Sequence, residues 1–157
     1  MIQRIQSVYL ALVALCMLAL YFSSIATFTG VNSLFIYSIF GLNLQGSANL
    51  ELGIFPTFLL GLTTTILALS IYSISLFKSR IKQMTFVRLN SLLLLLFIVI
   101  AVLAFNKSME ISMAKASVVT NYLFGSVTPF IALVLNMLAF RAIKKDEALV
   151  RSADRIR

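Results

Sequence analysis

Residues 89–106 read LNSLLLLLFIVIAVLAFN, a run without one charge. A helix of that length and composition is what crosses a hydrocarbon layer about 30 Å thick. Three more charge-free runs flank it, at 5–50, 52–77 and 116–140. Hydrophobic residues make up 61% of the chain and charged residues 11%, against about 25% charged in an average soluble domain. A buried all-α soluble core of this length lacks the polar surface to cover it. We therefore expect an all-α membrane protein: an antiparallel bundle of four transmembrane helices forming a single membrane domain over 1–157. The helices are placed at about 5–27, 53–77, 87–106 and 120–143, with an outer cap at 28–52 and a tail at 144–157.

The cations set the orientation. Arg4, Lys78, Arg80, Lys82, Arg88, Arg141, Lys144, Lys145, Arg151, Arg155 and Arg157 fall on one side of such a bundle, and Lys107 and Lys115 on the other. Cytoplasmic loops collect Lys and Arg, so both termini are expected in the cytoplasm, and Glu51 and Glu110 outside. The net charge of +8 then reflects topology, and no nucleic-acid partner is expected. Arg4, the apolar stretch after it and Ser24-Ile25-Ala26 also fit a secretory signal. The stretch to about Phe28 is longer than a signal's apolar core, so we read a retained helix. Cys16, the one cysteine, can form no internal disulfide.

The first outer segment does not read as a helix. Phe35, Tyr37 and Ile39 alternate with Ile36, Ser38 and Phe40, and Leu42-Asn43-Leu44-Gln45 keeps the period of two. Such alternation bounded by glycines (here Gly30, Gly41 and Gly46) predicts extended structure. Leu50-Glu51-Leu52 supplies a return strand. Because an open strand is not tolerated in hydrocarbon, the segment should form a β-hairpin-like cap on the outer helix ends. The competing reading is an interfacial or re-entrant helix. The second outer loop, 107–119, either extends the third helix or lies along the interface.

On the fourth helix, Gly125, Pro129, Ala132, Asn136 and Ala139 recur at spacings of four and three, a seam that lets helices approach closely in lipid. Asn136 would seek an interhelical hydrogen bond. Thr63, Thr64 and Thr65 with Ser70 and Ser73 give the second helix many hydroxyls, distributed around it without forming one stripe. The inner loop and tail, with Lys78, Arg80, Lys82, Arg141, Lys144, Lys145, Arg151 and Arg155, form a cationic face suited to anionic lipid headgroups or a partner. Leu149, Ala153 and Ile156 give the tail an apolar side.

Chemistry is sparse. No acid, base or histidine lies well inside an expected span, where proton relays and ion-coupled transporters place them. The chain has no histidine, which removes histidine-ligated haem and the usual metal sites. No base accompanies the serines, and no phosphate-binding glycine loop is present. We expect no cofactor and no catalytic site.

The opening MIQRIQSVYL at 1–10, Val87-Arg88-Leu89-Asn90, and above all the ending RAIKKDEALVRSADRIR at 141–157 resemble a family of small four-span membrane proteins from Bacteroidota, catalogued as domain of unknown function 4293. The likeness covers the whole length. It implies an inner-membrane protein of a Gram-negative bacterium and brings no activity or catalytic residue. The leading expectation is a non-catalytic accessory or scaffold subunit of a membrane complex. The alternatives are a small oligomeric transporter or channel lined by Thr63 to Thr65 and Asn136, and a lipid-modifying enzyme using Glu51 or Glu110.

Overall fold

A computed structural model describes residues 3–30, 33–44, 49–50, 52–76, 79–115 and 119–154. It contains four helices, α1 (Gln3–Ala19), α2 (Phe55–Ser75), α3 (Arg80–Lys115) and α4 (Phe124–Asp154). The strands are β1 (Ala26–Thr29), β2 (Leu34–Ser38), β3 (Gly41–Leu44), β4 (Asn49–Leu50) and β5 (Val119–Tyr122). Helices α2, α3 and α4 are long and apolar enough to cross a membrane. At 17 residues, α1 is only about 25 Å long.

The helices alternate in direction around the bundle, α1 packing on α2 and α4, and α3 on the same two. Gln6 meets Ala142, Arg80 meets Asp146, and Ser73 meets Gln83. The start of α1, the α2–α3 turn and the late part of α4 therefore share one end. Arg80, Lys82, Arg88, Arg141, Lys144 and Lys145 gather toward it.

The other end carries a five-stranded antiparallel sheet in the order β4-β3-β2-β1-β5. The expected alternation is present: Phe35, Tyr37 and Ile39 are buried, while Phe40 is exposed. No interfacial helix replaces it. Ser38 pairs with Gly41 across the β2–β3 turn. Gly41 has a φ of 128°, open to a residue without Cβ and strained for others. The cap is wider than a hairpin, because β1 and β5 extend it on the far side. β4 includes Leu50 of the expected return strand; Glu51 and Gly46 lie outside the described residues.

Three helices differ in extent from expectation, because neither a charge nor an apolar run by itself marks where a helix ends. Helix α1 stops at Ala19 rather than near 27. Its last turn closes with Tyr21 N donating to Leu18 O and Phe22 N to Ala19 O. The Ser23-Ser24 pair and the β-branched and aromatic residues of Ile25 to Thr29 then favour a strand. Helix α3 covers 36 residues rather than the 20 or so expected, because nothing from Lys107 to Lys115 breaks a helix. The 107–119 loop is thus mostly helix. Helix α4 begins at Phe124, after β5, and runs through the expected tail to Asp154.

The surplus of α3 supports the cap. Ala101, Ala104, Ser108 and Ser112 recur along one side of it. The two serines are buried, each hydroxyl donating to a carbonyl one turn earlier at 2.8 Å. The phenol of Tyr37 donates to Ala101 O at 3.3 Å. Phe105 sits among rings from three strands, 5.6 Å from Phe28, 6.2 Å from Tyr37 and 5.6 Å from Tyr122. Buried Val13, Met17, Leu59, Leu94 and Phe97 of the helices continue into Phe28, Phe35, Tyr37 and Leu42 of the sheet as one apolar core.

Burial pushes the Tyr37 hydroxyl above its ordinary value. An unfolded tyrosine ionises near pH 10, while the buried one holds its proton to higher pH. Its contribution is therefore full below about pH 10 and is lost as pH rises through the folded value. Tyr37→Phe should cost about 1 kcal/mol at neutral pH by removing one hydrogen bond. The melting temperature of the native chain in detergent should fall more steeply from about pH 9 to about pH 11 than that of the variant.

Candidate functional site: the polar layer and the cationic end

The α4 seam faces inward. Gly125, Pro129, Ala132, Asn136 and Ala139 are all buried. Gly125 lies against the Ser24-Ile25 backbone. About three turns further along α4, Asn136 enters a polar layer between two apolar ones. On one side are Leu10, Val87, Ala139 and Ile143; on the other are Val13, Ile66, Leu94 and Ala132.

Within the layer nearly every donor and acceptor is used. Asn136 Nδ2 donates to Val87 O at 2.9 Å and to Ser91 Oγ at 2.8 Å. Asn90 Nδ2 donates to Asn136 Oδ1 at 3.3 Å and to Ser70 Oγ at 3.0 Å. The hydroxyls of Ser70 and Ser91 donate to Ile66 O and Val87 O of their own helices. This donor count fixes both amide orientations. Asn90 Oδ1 is left buried without a protein partner. The layer ties α2, α3 and α4 together through Asn90 and Asn136.

A second polar group closes the cationic end. Gln83 Nε2 donates to Ser73 O at 3.0 Å, and Gln6 Nε2 to Ala142 O at 3.4 Å. Arg80 Nε lies 3.2 Å from Asp146 Oδ2, an ion pair poorly aligned as a hydrogen bond, and Arg80 Nη1 reaches Asp146 O at 3.5 Å. Lys82, Arg141, Lys144 and Lys145 are exposed. The Arg151 side chain, Lys78 and Arg155 lie outside the described structure. Arg88 is exposed, with its guanidinium 5.0 Å from the centre of the Phe140 ring.

The hydroxyls of α2 do not converge on a path. Thr63 bonds back to Leu59 O, Thr64 to Leu60 O and Gly61 O, and Thr65 to Gly61 O. Thr63 is buried, but Thr64 and Thr65 are on the outer surface of the helix. Glu110 is exposed and pairs with Lys107 at 3.2 Å. Among the described residues, no group of three His, Cys, Asp or Glu side chains could hold a metal.

Three features were not singled out from sequence: Asn90 with Ser70 and Ser91 as the partners of Asn136, Asp146 as the partner of Arg80, and Arg88 as a groove residue. The signal for the first was two amides, Asn90 and Asn136, in otherwise apolar helices. In hydrocarbon such groups seek each other.

The α3–α4 side also carries open clefts. One of about 340 Å³ near the cap is lined by Phe97, Ile98, Tyr122, Pro129 and Phe130 among others. Two further clefts of about 350 and 400 Å³ lie toward the cationic end and share Arg88.

A family model described as a domain of unknown function, DUF4293, matches residues 2–156. The chain belongs to that family. No curated protein matches it.

Proposed function

We propose that this member of the DUF4293 family is a non-catalytic integral membrane protein serving as an accessory or scaffold subunit of a membrane protein complex. In this reading it lies in the bacterial inner membrane with both termini in the cytoplasm, and α1 completes a fourth span through the turn that follows it. The excess of cations at the end away from the sheet supports that orientation.

The observation that carries the reading is the continuity of α3. It runs unbroken from Arg80 at the cationic end to Lys115 beside the cap, so one helix belongs to both the bundle and the support of the sheet. The buried amides of Gln6, Gln83, Asn90 and Asn136 join helices, while buried Thr63, Ser108 and Ser112 bond back to their own. The surfaces left for function are external. The cap presents β5, an edge strand with Val119 and Tyr122 exposed, followed by Phe124. Edge strands accept a further strand from a partner. The opposite end presents cations and the exposed Leu149 and Val150 of α4.

Affinity purification in a mild detergent at native expression tests this. A membrane protein partner should co-purify in defined ratio and be lost when Val119 and Tyr122 are replaced by lysine. Recovery of the chain alone in several detergents would contradict it. The transporter alternative gains no support from hydroxyls that bond within their own helix.

A further inference from the structure

We infer that the α3–α4 groove at the cationic end is a binding site for one anionic phospholipid, its phosphate held by Arg88 and Arg141 with Lys144 alongside, and one acyl chain lying between the two helices. The inference rests on the membrane placement of the bundle but not on the accessory role.

Two clefts meet at Arg88. The one nearer the helix end, about 350 Å³, is lined by Ile81, Met84, Lys144 and Glu147 among others; the one deeper toward the cap, about 400 Å³, by Leu92, Met137, Phe140 and Arg141. Arg88 therefore stands at the join, with Lys144 and the acid Glu147 in the outer cleft and Arg141 in the deeper one, which is otherwise largely apolar. That is the order of groups a phospholipid presents. A helical side chain leans toward the N-terminus of its helix, which for Arg88 is the cationic end. Its guanidinium accordingly lies level with Phe140, whose ring holds it by a cation–π contact. Arginine is the side chain best matched to a phosphate.

The groove continues inward. On α3, Arg88, Leu92, Leu95 and Ile98 follow one another at spacings of three and four. On α4, Arg141, Met137, Val134 and Phe130 do the same in the opposite direction. Leu92, Leu95, Met137, Val134 and Phe130 are all substantially exposed, as lipid-facing residues should be. From Arg88 to Ile98 is about 15 Å along α3, roughly half of a 30 Å hydrocarbon layer and so the depth of one leaflet. At that depth Ile98 and Phe130 open the apolar cleft of about 340 Å³ beneath the cap, where the chain would end.

The test uses the full chain in detergent, titrated with phosphatidylglycerol or phosphatidylcholine and read by native mass spectrometry. One phosphatidylglycerol should bind with clear preference. Near anionic lipid each cation contributes about fivefold in affinity. Arg88→Gln/Arg141→Gln should thus weaken binding by about twentyfold or more. Lys82→Gln/Lys145→Gln removes the same charge outside the groove and should change it less than about threefold. Leu92→Trp/Met137→Trp, which fills the deeper cleft at constant charge, should also expel the lipid. Should the arginine pair fail to fold, Arg141→Gln alone carries the comparison.

Equal losses in the two charge pairs would overturn the inference in favour of a diffuse surface field. Displacement of the lipid by glycerol phosphate at matching concentration would reduce the site to a phosphate site and overturn the acyl-chain part. Absence of preference between the two lipids would overturn the whole.

Discussion

Gly125→Ala should destabilise the fold by about 3 kcal/mol or more, the upper end of what overpacking costs. A Cβ built on Gly125 would lie 2.5 Å from Ser24 O, 2.9 Å from Ser24 C and 3.2 Å from Ile25 Cα. All three are backbone atoms, so no rotamer change relieves the clash. Nor is the segment free to retreat. Ile25 N donates to Tyr37 O at 2.7 Å, and Ile25 O accepts from Leu123 N at 3.1 Å. Moving it would break the ties that anchor the sheet on α4. Gly61→Ala is the control, because a Cβ there meets nothing within 4 Å. Alanine on that exposed part of α2 should instead stabilise, by about 0.5–1 kcal/mol. Thermal unfolding in mild detergent distinguishes the two. A Gly125→Ala chain as stable as the native one would refute the close contact.

Asn136→Ala should cost about 2–4 kcal/mol. The side chain takes part in three hydrogen bonds, to Val87 O, Ser91 Oγ and Asn90 Nδ2. Interhelical hydrogen bonds in membranes average about 0.6 kcal/mol and reach about 1.7. The truncation also strands one Asn90 donor and leaves a void. Asn90 already holds one unpaired oxygen, so its loss alone should cost less than that of Asn136. The double variant Asn90→Ala/Asn136→Ala should fall well short of the sum of the singles, since one bond is shared. Strict additivity, measured by equilibrium unfolding in bicelles, would show that the amides do not act together.

How much of this was legible beforehand follows from the range over which each signal acts. Helix α2 lies at 55–75 against an expected 53–77, because the local signals agree there: Gly53 and Pro56 mark its start, and an apolar run fills it. The β2–β3 hairpin was readable from the alternation of Phe35 to Phe40 and from Gly41. β1 was not. Ala26-Thr27-Phe28-Thr29 lies in the same charge-free run as the helix before it, and hydropathy does not separate strand from helix. Its partner β5 is about ninety residues away, with Thr27 opposite Asn121. The length of α3 was hidden by Lys107 and Glu110, which look like a loop in a hydropathy reading but sit comfortably on a helix as a pair three apart. The small-residue stripe Ala101, Ala104, Ser108, Ser112 was the available clue that this helix continues against another surface.

The site shows the same division. The spacing of Gly125, Ala132, Asn136 and Ala139 was visible on one helix. Which residues face it depends on the relative height of α2, α3 and α4, which only the packed bundle provides. In the sequence Arg88 is one of the cations that mark the cytoplasmic side. In the fold it stands where two clefts meet.

The side of the membrane on which each end of the bundle lies can be measured directly. In a Cys16→Ser chain, single cysteines replace Lys107 beside the cap and Lys145 on α4, both exposed. Spheroplasts are treated with a membrane-impermeant thiol reagent. With both termini in the cytoplasm, the cysteine at position 107 reacts in intact spheroplasts, and the one at 145 reacts only after lysis. Reaction of both in intact spheroplasts, or the reverse pattern, would contradict that orientation.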